Sequence, residues 1–386
     1  TYTGLAVAGA KVSWRVERQM RFPIWCRWCF PWLPFDSGSR RIARGTATTD
    51  ADGSFQVTFP AMPDRSVPED SLPVFTYAIT ADVTDTGGET RSADRQVSAG
   101  YTDLEASIEV ADWQAVSDDG PARVPLTIST TSLDGEPRGA VGQLQVTRLV
   151  QPAEVARGNL GGRPVPYPRP VLRRAAGGGQ PVQPEPDPAK PETWADGEEV
   201  FAGDDTTDAA TGKAVATVAL PTGIYRATFT VAGEAGRPEV RASRLIEVVD
   251  PTAATYPIKQ AFVLKAQADS VEVGAELLAL AGTGYDRGRM LVELVKNGKL
   301  LERFWTKHDR TQTPVSLKLT DAHRGGVTVR AWMVRDGRLH EASRTVDVPW
   351  TTKKLSVGWQ RFTRKLEPAA KEIWRATVKT VADPLA

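Results

Sequence analysis

Apolar and polar residues alternate with a period of two along most of the chain, as in residues 10–16 (AKVSWRV), 75–83 (FTYAITADV), 143–149 (QLQVTRL) and 225–231 (YRATFTV). Such alternation sends successive side chains to opposite faces of an extended backbone, so it predicts half-buried β-strands. The pattern recurs at residues 54–59, 214–220, 290–295 and 327–334. Between these runs stand Asp52-Gly53, Thr86-Gly87-Gly88, Asp134-Gly135, Asn297-Gly298 and Asp336-Gly337. Asn, Asp and Gly tolerate positive φ, so these pairs predict tight hairpin turns. Sustained helical periodicity is absent. Residues 369–378 read either as a short helix or, through Ile373, Arg375 and Thr377, as a strand. The expected fold class is all-β.

The strands are organised by a repeat. Thr49-Asp50-Ala51-Asp52-Gly53, closed by Pro60, parallels Thr207-Asp208-Ala209-Ala210-Thr211-Gly212, closed by Pro221, and each precedes a strand bearing a tyrosine, Tyr77 or Tyr225. Residues 4–16 and 135–146 repeat as opening strands. A chain of 386 residues exceeds one ordinary core, since domains hold about 100–150 residues. The expected division is 1–104, 105–250, 251–350 and the start of a further, incomplete unit at 351–386, with Pro251 and Pro257 marking a linker. Within 151–197 the alternation gives way to Pro, Gly and Arg, including Gly177-Gly178-Gly179. That composition buries too little apolar surface to order itself, so it reads as an exposed loop inserted in the second sandwich.

Composition removes several function classes. Lys and Arg number 48 against 47 Asp and Glu, a formal charge of +1. No global field is present to recruit nucleic acid or an anionic membrane. No apolar run approaches the roughly 18 residues that span a bilayer, and no secretory signal opens the chain. The sequence begins in a strand-like pattern at Thr1 and reads as a fragment or processed form. Cys26 and Cys29 are its two cysteines. They exclude a disulfide framework and a four-thiolate zinc site; they form the pair available for a disulfide in an oxidising envelope, while a thioredoxin-like role lacks its βαβ context.

Local motifs favour structure over chemistry. Asp85-Thr86-Gly87 has no second copy to make an aspartic-protease dyad and reads as a turn. Asp50-x-Asp52-Gly53 resembles a calcium loop whose twelfth position falls on Ala61, so it too reads as a turn. His308, His323 and His340 lack metal-ligand spacing. No catalytic residue, cofactor or metal is expected, and the chain is not expected to be an enzyme. The densest apolar cluster, Trp25, Trp28, Phe30 and Trp32 among prolines, reads as a docking or membrane-touching loop, or as a loop folded over its own sandwich or the next module.

Several blocks resemble the bacterial alpha-2-macroglobulin family. Residues 7–18 (VAGAKVSWRVER), the 49–55 turn, 82–91 (DVTDTGGETR), 271–280 (VEVGAELLAL), 282–286 (GTGYD), 290–305 and 346–355 (VDVPWTTKKL) follow that family's order. The resemblance implies tandem fibronectin- or immunoglobulin-like macroglobulin sandwiches, with a bait-region-type domain at 251–350. It implies the scaffold of a broad-spectrum inhibitor that traps endopeptidases after they cut an exposed segment. Partners would be target endopeptidases and neighbouring macroglobulin domains, with a monomeric protein located in the envelope (periplasmic or a surface lipoprotein) or secreted. The family's thioester Cys–Glu–Gln sequence is absent. Arg157, Arg163, Arg169, Arg173 and Arg174 in the insertion, and Arg287, Arg289 and Arg310 in the third unit, are the candidate cleavage positions. The alternative is a structural or adhesive envelope module whose Trp-rich loop binds a protein partner.

Overall fold

The computed structural model describes residues 6–21, 37–65, 67, 69, 72–116, 120–156, 187–233, 236–353, 355–361, 371 and 373–380. Among the described residues no α-helix occurs, and the fold class is all-β, built from several sheets. The chain divides into two compact units. One comprises Thr1–Val110, Asp118–Val150 and Glu192–Val248; the other comprises Ala111–Ser117, Gln151–Pro191 and Val249–Ala386.

The first unit begins with β1 (Lys11–Arg21), β2 (Ser37–Thr48), β3 (Val74–Thr84) and β4 (Thr90–Gly100), an antiparallel sheet in the order β2-β1-β3-β4. It continues through β5 (Leu104–Glu109), β7 (Ala122–Ser132), β8 (Val141–Leu149), β9 (Asp196–Thr206), β10 (Lys213–Leu220), β11 (Gly223–Val231) and β12 (Val240–Val249), while the short β6 (Gln114–Ala115) falls in the second unit. Here β10-β7-β5 make one sheet, and β12-β11-β8-β9 run side by side in another. Val124, Leu126 and Ile128 of β7 and Leu144, Val146, Ala227 and Phe229 of β8 and β11 are all at 0% exposure. One face of each sheet is thus fully covered, as two packed layers require. Tyr225 donates its hydroxyl to the Pro221 carbonyl at 2.9 Å, a tyrosine corner that pins the entry of β11.

The second unit repeats this plan. Its strands are β13 (Val263–Ala266), β14 (Glu276–Gly282), β15 (Leu291–Lys296), β16 (Lys299–Trp305), β17 (Gln312–Lys318), β18 (Val327–Arg335) and β19 (Arg338–Val346). They form sheets β13-β14-β17 and β16-β15-β18-β19. Leu277, Ala279 and Val315 from the first sheet and Val292, Leu294, Val329 and Ala331 from the second share one core. Beyond it, β20 (Leu355–Arg361) and β21 (Arg375–Thr380) form a hairpin with Trp359 and Trp374 edge to face at 6.1 Å. The 369–378 ambiguity thereby resolves as strand from Arg375 onward.

Aligned on these sheets, β1–β2–β3–β4, β8–β9–β11–β12 and β15–β16–β18–β19 are three copies of one four-stranded layer. Residues 54–59 differ from expectation: they alternate between half-buried Phe55, Val57, Phe59 and exposed Ser54, Gln56, Thr58, yet form no ladder among the described residues. Their counterparts, β10 and β17, pair with β7 and β14, strands that precede each module's first hairpin. The 54–59 segment packs through its side chains, with the Phe59 ring 5.9 Å from that of Tyr77.

The shared threonine explains why the repeat survives. Thr49, Thr207 and Thr306 each follow the second strand of the hairpin and are each buried. Each hydroxyl accepts the N–H of the residue just before the first strand: Ala10 at 2.9 Å, Ala140 at 2.8 Å and Met290 at 2.9 Å. Each threonine N–H in turn reaches that same residue's carbonyl, at 3.1, 2.9 and 2.8 Å. The hydroxyl therefore satisfies a backbone donor at the mouth of the hairpin, where the ladder has ended. Thr207→Val keeps the shape and removes the acceptor, which should cost about 1–2 kcal/mol, whereas Thr207→Ser should stay near the parent. Urea denaturation of both variants would show this, and equal midpoints for Val and Ser would refute the clamp.

Candidate functional site

The repeat places the two long insertions at one structural position. In the third copy, β15 and β16 are joined by Asn297 (φ 48°) and Gly298 (φ 78°), both left-handed, as a two-residue hairpin requires. In the first copy residues 22–36 occupy that position between β1 and β2, and in the second residues 150–195 occupy it between β8 and β9. Trp25, Cys26, Trp28, Cys29, Phe30 and Trp32 lie outside the described residues, as do Arg157, Arg163, Arg169, Arg173 and Arg174.

The ends of the longer insertion are well held. Val150 donates to the Ala195 carbonyl at 2.9 Å, which prolongs the β8–β9 ladder by one rung. A short 3-10 turn, Pro191–Thr193, leads into buried Trp194. Arg226, on β11, then donates to the Glu192 carbonyl at 2.9 Å, the Trp194 carbonyl at 3.0 Å and the Asp196 carboxylate. Three acceptors around one guanidinium fix the returning chain before β9 starts, because Arg presents its donors in a rigid fork.

In the second unit the predicted loops are short and stitched. Arg287 is exposed, but its carbonyl accepts from Arg335 at 3.0 Å, and the Arg335 guanidinium stacks over Tyr285 at 5.1 Å. Gly284 leaves no room for any side chain: a Cβ there would stand 2.3 Å from the Ile258 carbonyl oxygen. Arg289 stacks on Trp305 at 5.1 Å and donates to the Thr306 carbonyl at 3.2 Å. Arg310 is half-buried and donates to the Thr252 carbonyl at 2.7 Å. Three of the candidate cleavage positions therefore sit on backbone tied to its neighbours.

The remaining motifs occupy structural roles. The Asp85 carboxylate accepts the N–H groups of Gly87 and Glu89 at 2.8 and 2.9 Å inside the β3–β4 turn. Asp52 accepts from the backbone and hydroxyl of Ser54, which holds its carboxyl below the ordinary carboxylate value. His323 accepts the Thr320 N–H through Nδ1 at the start of a 3-10 turn. His340 packs beside Phe262 and Tyr285, and this burial, together with Arg338, pushes its pKa down. Among the described residues no group of three or more His, Cys, Asp or Glu is placed to hold a metal ion, and no helix is long and apolar enough to cross a membrane. A concavity of about 570 Å³ in the first unit is lined by Leu72, Tyr101, Glu69, Pro238, Arg237 and Arg241 among others. Burial raises the Tyr101 pKa there, with Glu69 adding to the effect.

No family model matches the sequence, and no curated protein matches it. Solved structures similar to this chain are bacterial alpha-2-macroglobulins. A trypsin-activated alpha-2-macroglobulin from Escherichia coli shows 13% identity and a TM-score of 0.33 over 92% of this chain and 23% of that one. The native conformation of the Escherichia coli protein shows 12% identity and a TM-score of 0.26, over 92% and 22%. A Salmonella alpha-2-macroglobulin reacted with methylamine shows 10% identity and a TM-score of 0.23, over 93% and 32%. The chain thus spans less than a third of the length of some of these structures and less than a quarter of others.

Proposed function

We propose that the chain is scaffold from a bacterial alpha-2-macroglobulin-like endopeptidase inhibitor, in which β-sandwich modules carry a segment that proteases cut. The blocks quoted from the sequence and the three copies of one four-stranded layer support this reading. In it the modules run as 1–104, 105–250, 251–350 and the beginning of another at 351–386, and the protein works in the envelope or outside the cell. The chain itself performs no catalysis; reactivity belongs to the attacking protease.

One observation carries the reading. The longest insertion joins two adjacent strands of a complete sandwich, and Val150, Trp194 and Arg226 hold both ends in place. Cutting between those ends breaks the chain without withdrawing a strand from the core. Signalling by cleavage needs that property, because the module must outlive the cut. The cleavage positions are then Arg157, Arg163, Arg169, Arg173 and Arg174, ahead of the stitched Arg287, Arg289 and Arg310.

Brief trypsin digestion tests this. The expected result is early cleavage after Arg157, Arg173 or Arg174, since Arg163 and Arg169 each precede a proline that blocks trypsin, with the fragments co-migrating on gel filtration and the β-sheet circular dichroism retained. Early cuts within the strands of that sandwich themselves, or at Arg310 ahead of Arg173, would overturn it. Loss of trypsin activity toward a large protein substrate, with activity toward a small peptide spared, is the accompanying sign of trapping by the full-length protein.

A further inference from the structure

The first unit contains a joint whose polar contacts have no part in either sandwich core. β4 ends at Gly100 and β5 begins at Leu104, leaving Tyr101, buried Thr102 and Asp103 as the whole connection. Across this short link, Arg21, the last residue of β1, forks to the Glu105 carboxylate at 2.6 Å and the Leu133 carbonyl at 2.8 Å. The Ser98 N–H on β4 donates to the Asp134 carboxylate at 2.7 Å, and Arg237 pairs with Asp103 at 3.5 Å. Buried Leu133 lies against Gly100 so closely that a Cβ on the glycine would stand 3.1 Å from its Cδ1.

These contacts lie at separate points around the link. A single exposed ion pair would leave the modules free to swing, since such pairs are weak. A fork from β1, a backbone donor from β4 and an apolar contact at Gly100 restrain different directions of rotation. All three converge on the β7 end and its following turn, Leu133-Asp134, which is itself closed by Gly135 (φ 88°) and by Glu136 N–H to the Ser132 hydroxyl at 3.1 Å. A rigid turn is thus clamped by two strands of the neighbouring sheet.

We infer that the first two modules form one rigid body at a preset angle, latched by Arg21 and Asp134. This deepens the proposed inhibitory role: a rearrangement that follows cleavage leaves this joint closed. Module pairs within a chain otherwise move by default, because interfaces between them resemble transient ones.

Double electron–electron resonance on the whole chain tests the latch, with nitroxides introduced through unnatural amino acids at exposed Thr86 and Ala210. The expected distance distribution is a single narrow peak that trypsin treatment leaves in place. In Arg21→Ala combined with Asp134→Ala it should broaden about twofold, as for freely jointed modules. Should the double variant fail to fold, Arg21→Lys serves instead, since it keeps the charge facing Glu105 and loses the fork to Leu133. A broad peak in the parent, or a narrow one that survives loss of the latch, would overturn the inference. A peak that shifts after trypsin also overturns it while leaving the inhibitory reading intact; a chain that inhibits no protease ends that reading and leaves the joint standing.

Discussion

Phe229→Ala is expected to lower the stability of the first unit by about 3–5 kcal/mol, the range for deleting a large aromatic from a closed core. Phe229 is fully buried on β11, with Leu144 of β8 and Ala242 of β12 opposite it on the adjoining strands. Its ring also occupies the space beside Gly142, where a Cβ would meet the ring tip at 2.5 Å. Truncation therefore opens a void next to a residue with no side chain to move into it, and β-sheet backbone on both sides resists collapse. Relaxation, the usual discount on such losses, is limited here. Guanidinium denaturation followed by tryptophan fluorescence would measure the change, with Thr228→Ala, half-buried on the opposite face, staying within about 0.5 kcal/mol. A loss at Phe229 no larger than at Thr228 would mean that the two layers are not packed as described.

Phe229 was readable in advance, because strands with one covered face carry a period-two pattern that no other arrangement explains. Asn297, Asp336 and the glycines after them were readable for a related reason: their positive φ is a demand few residue types meet. Edge strands were harder. β2 (SGSRRIARGTAT), β4 (TRSADRQVSAG) and β9 (DGEEVFAGDDT) lie at sheet edges and present polar side chains on both faces, so apolar alternation is faint. Charge on an edge discourages pairing with another chain, which is a reason to expect the pattern to fade there. Whether 54–59 joins a ladder was not legible for another reason, since pairing depends on a distant partner and not on the local pattern.

The threonine clamp was half visible. Thr49-Asp50 and Thr207-Asp208 share a dipeptide, whereas Thr306 is followed by Lys307 and His308, so the third copy escapes a motif search although its hydrogen bonds are the same. Once the three hairpins are aligned on that hydroxyl, 22–36 and 150–195 fall at one position, and the two-residue Asn297-Gly298 turn shows how little the fold itself needs there. Both insertions then add length where the sandwich tolerates it, because the strand before each, β1 or β8, is fixed from its other side by β3 or β11.

Arg226→Ala should join stability to cleavage most directly. The guanidinium is mostly buried and satisfies the carbonyls of Glu192 and Trp194 while pairing with exposed Asp196. Removing it strands two carbonyls near the root of the insertion, at an expected cost of about 1.5–3 kcal/mol, the range for hydrogen bonds to a charged group. Most of that cost is local, since β9 remains paired with β8 along its length. The released stretch should therefore open more often than the module unfolds, and a glutamyl endopeptidase should gain a new early site at Glu192, whose carbonyl Arg226 holds in the parent chain. Mass spectrometry of a brief digest separates the outcomes: a Glu192 cut that appears with the sandwich still folded places the anchor at Arg226. An unchanged cleavage map despite the lost stability would mean that Trp194 alone holds the returning chain, and that the segment open to proteases ends before residue 187 in either case.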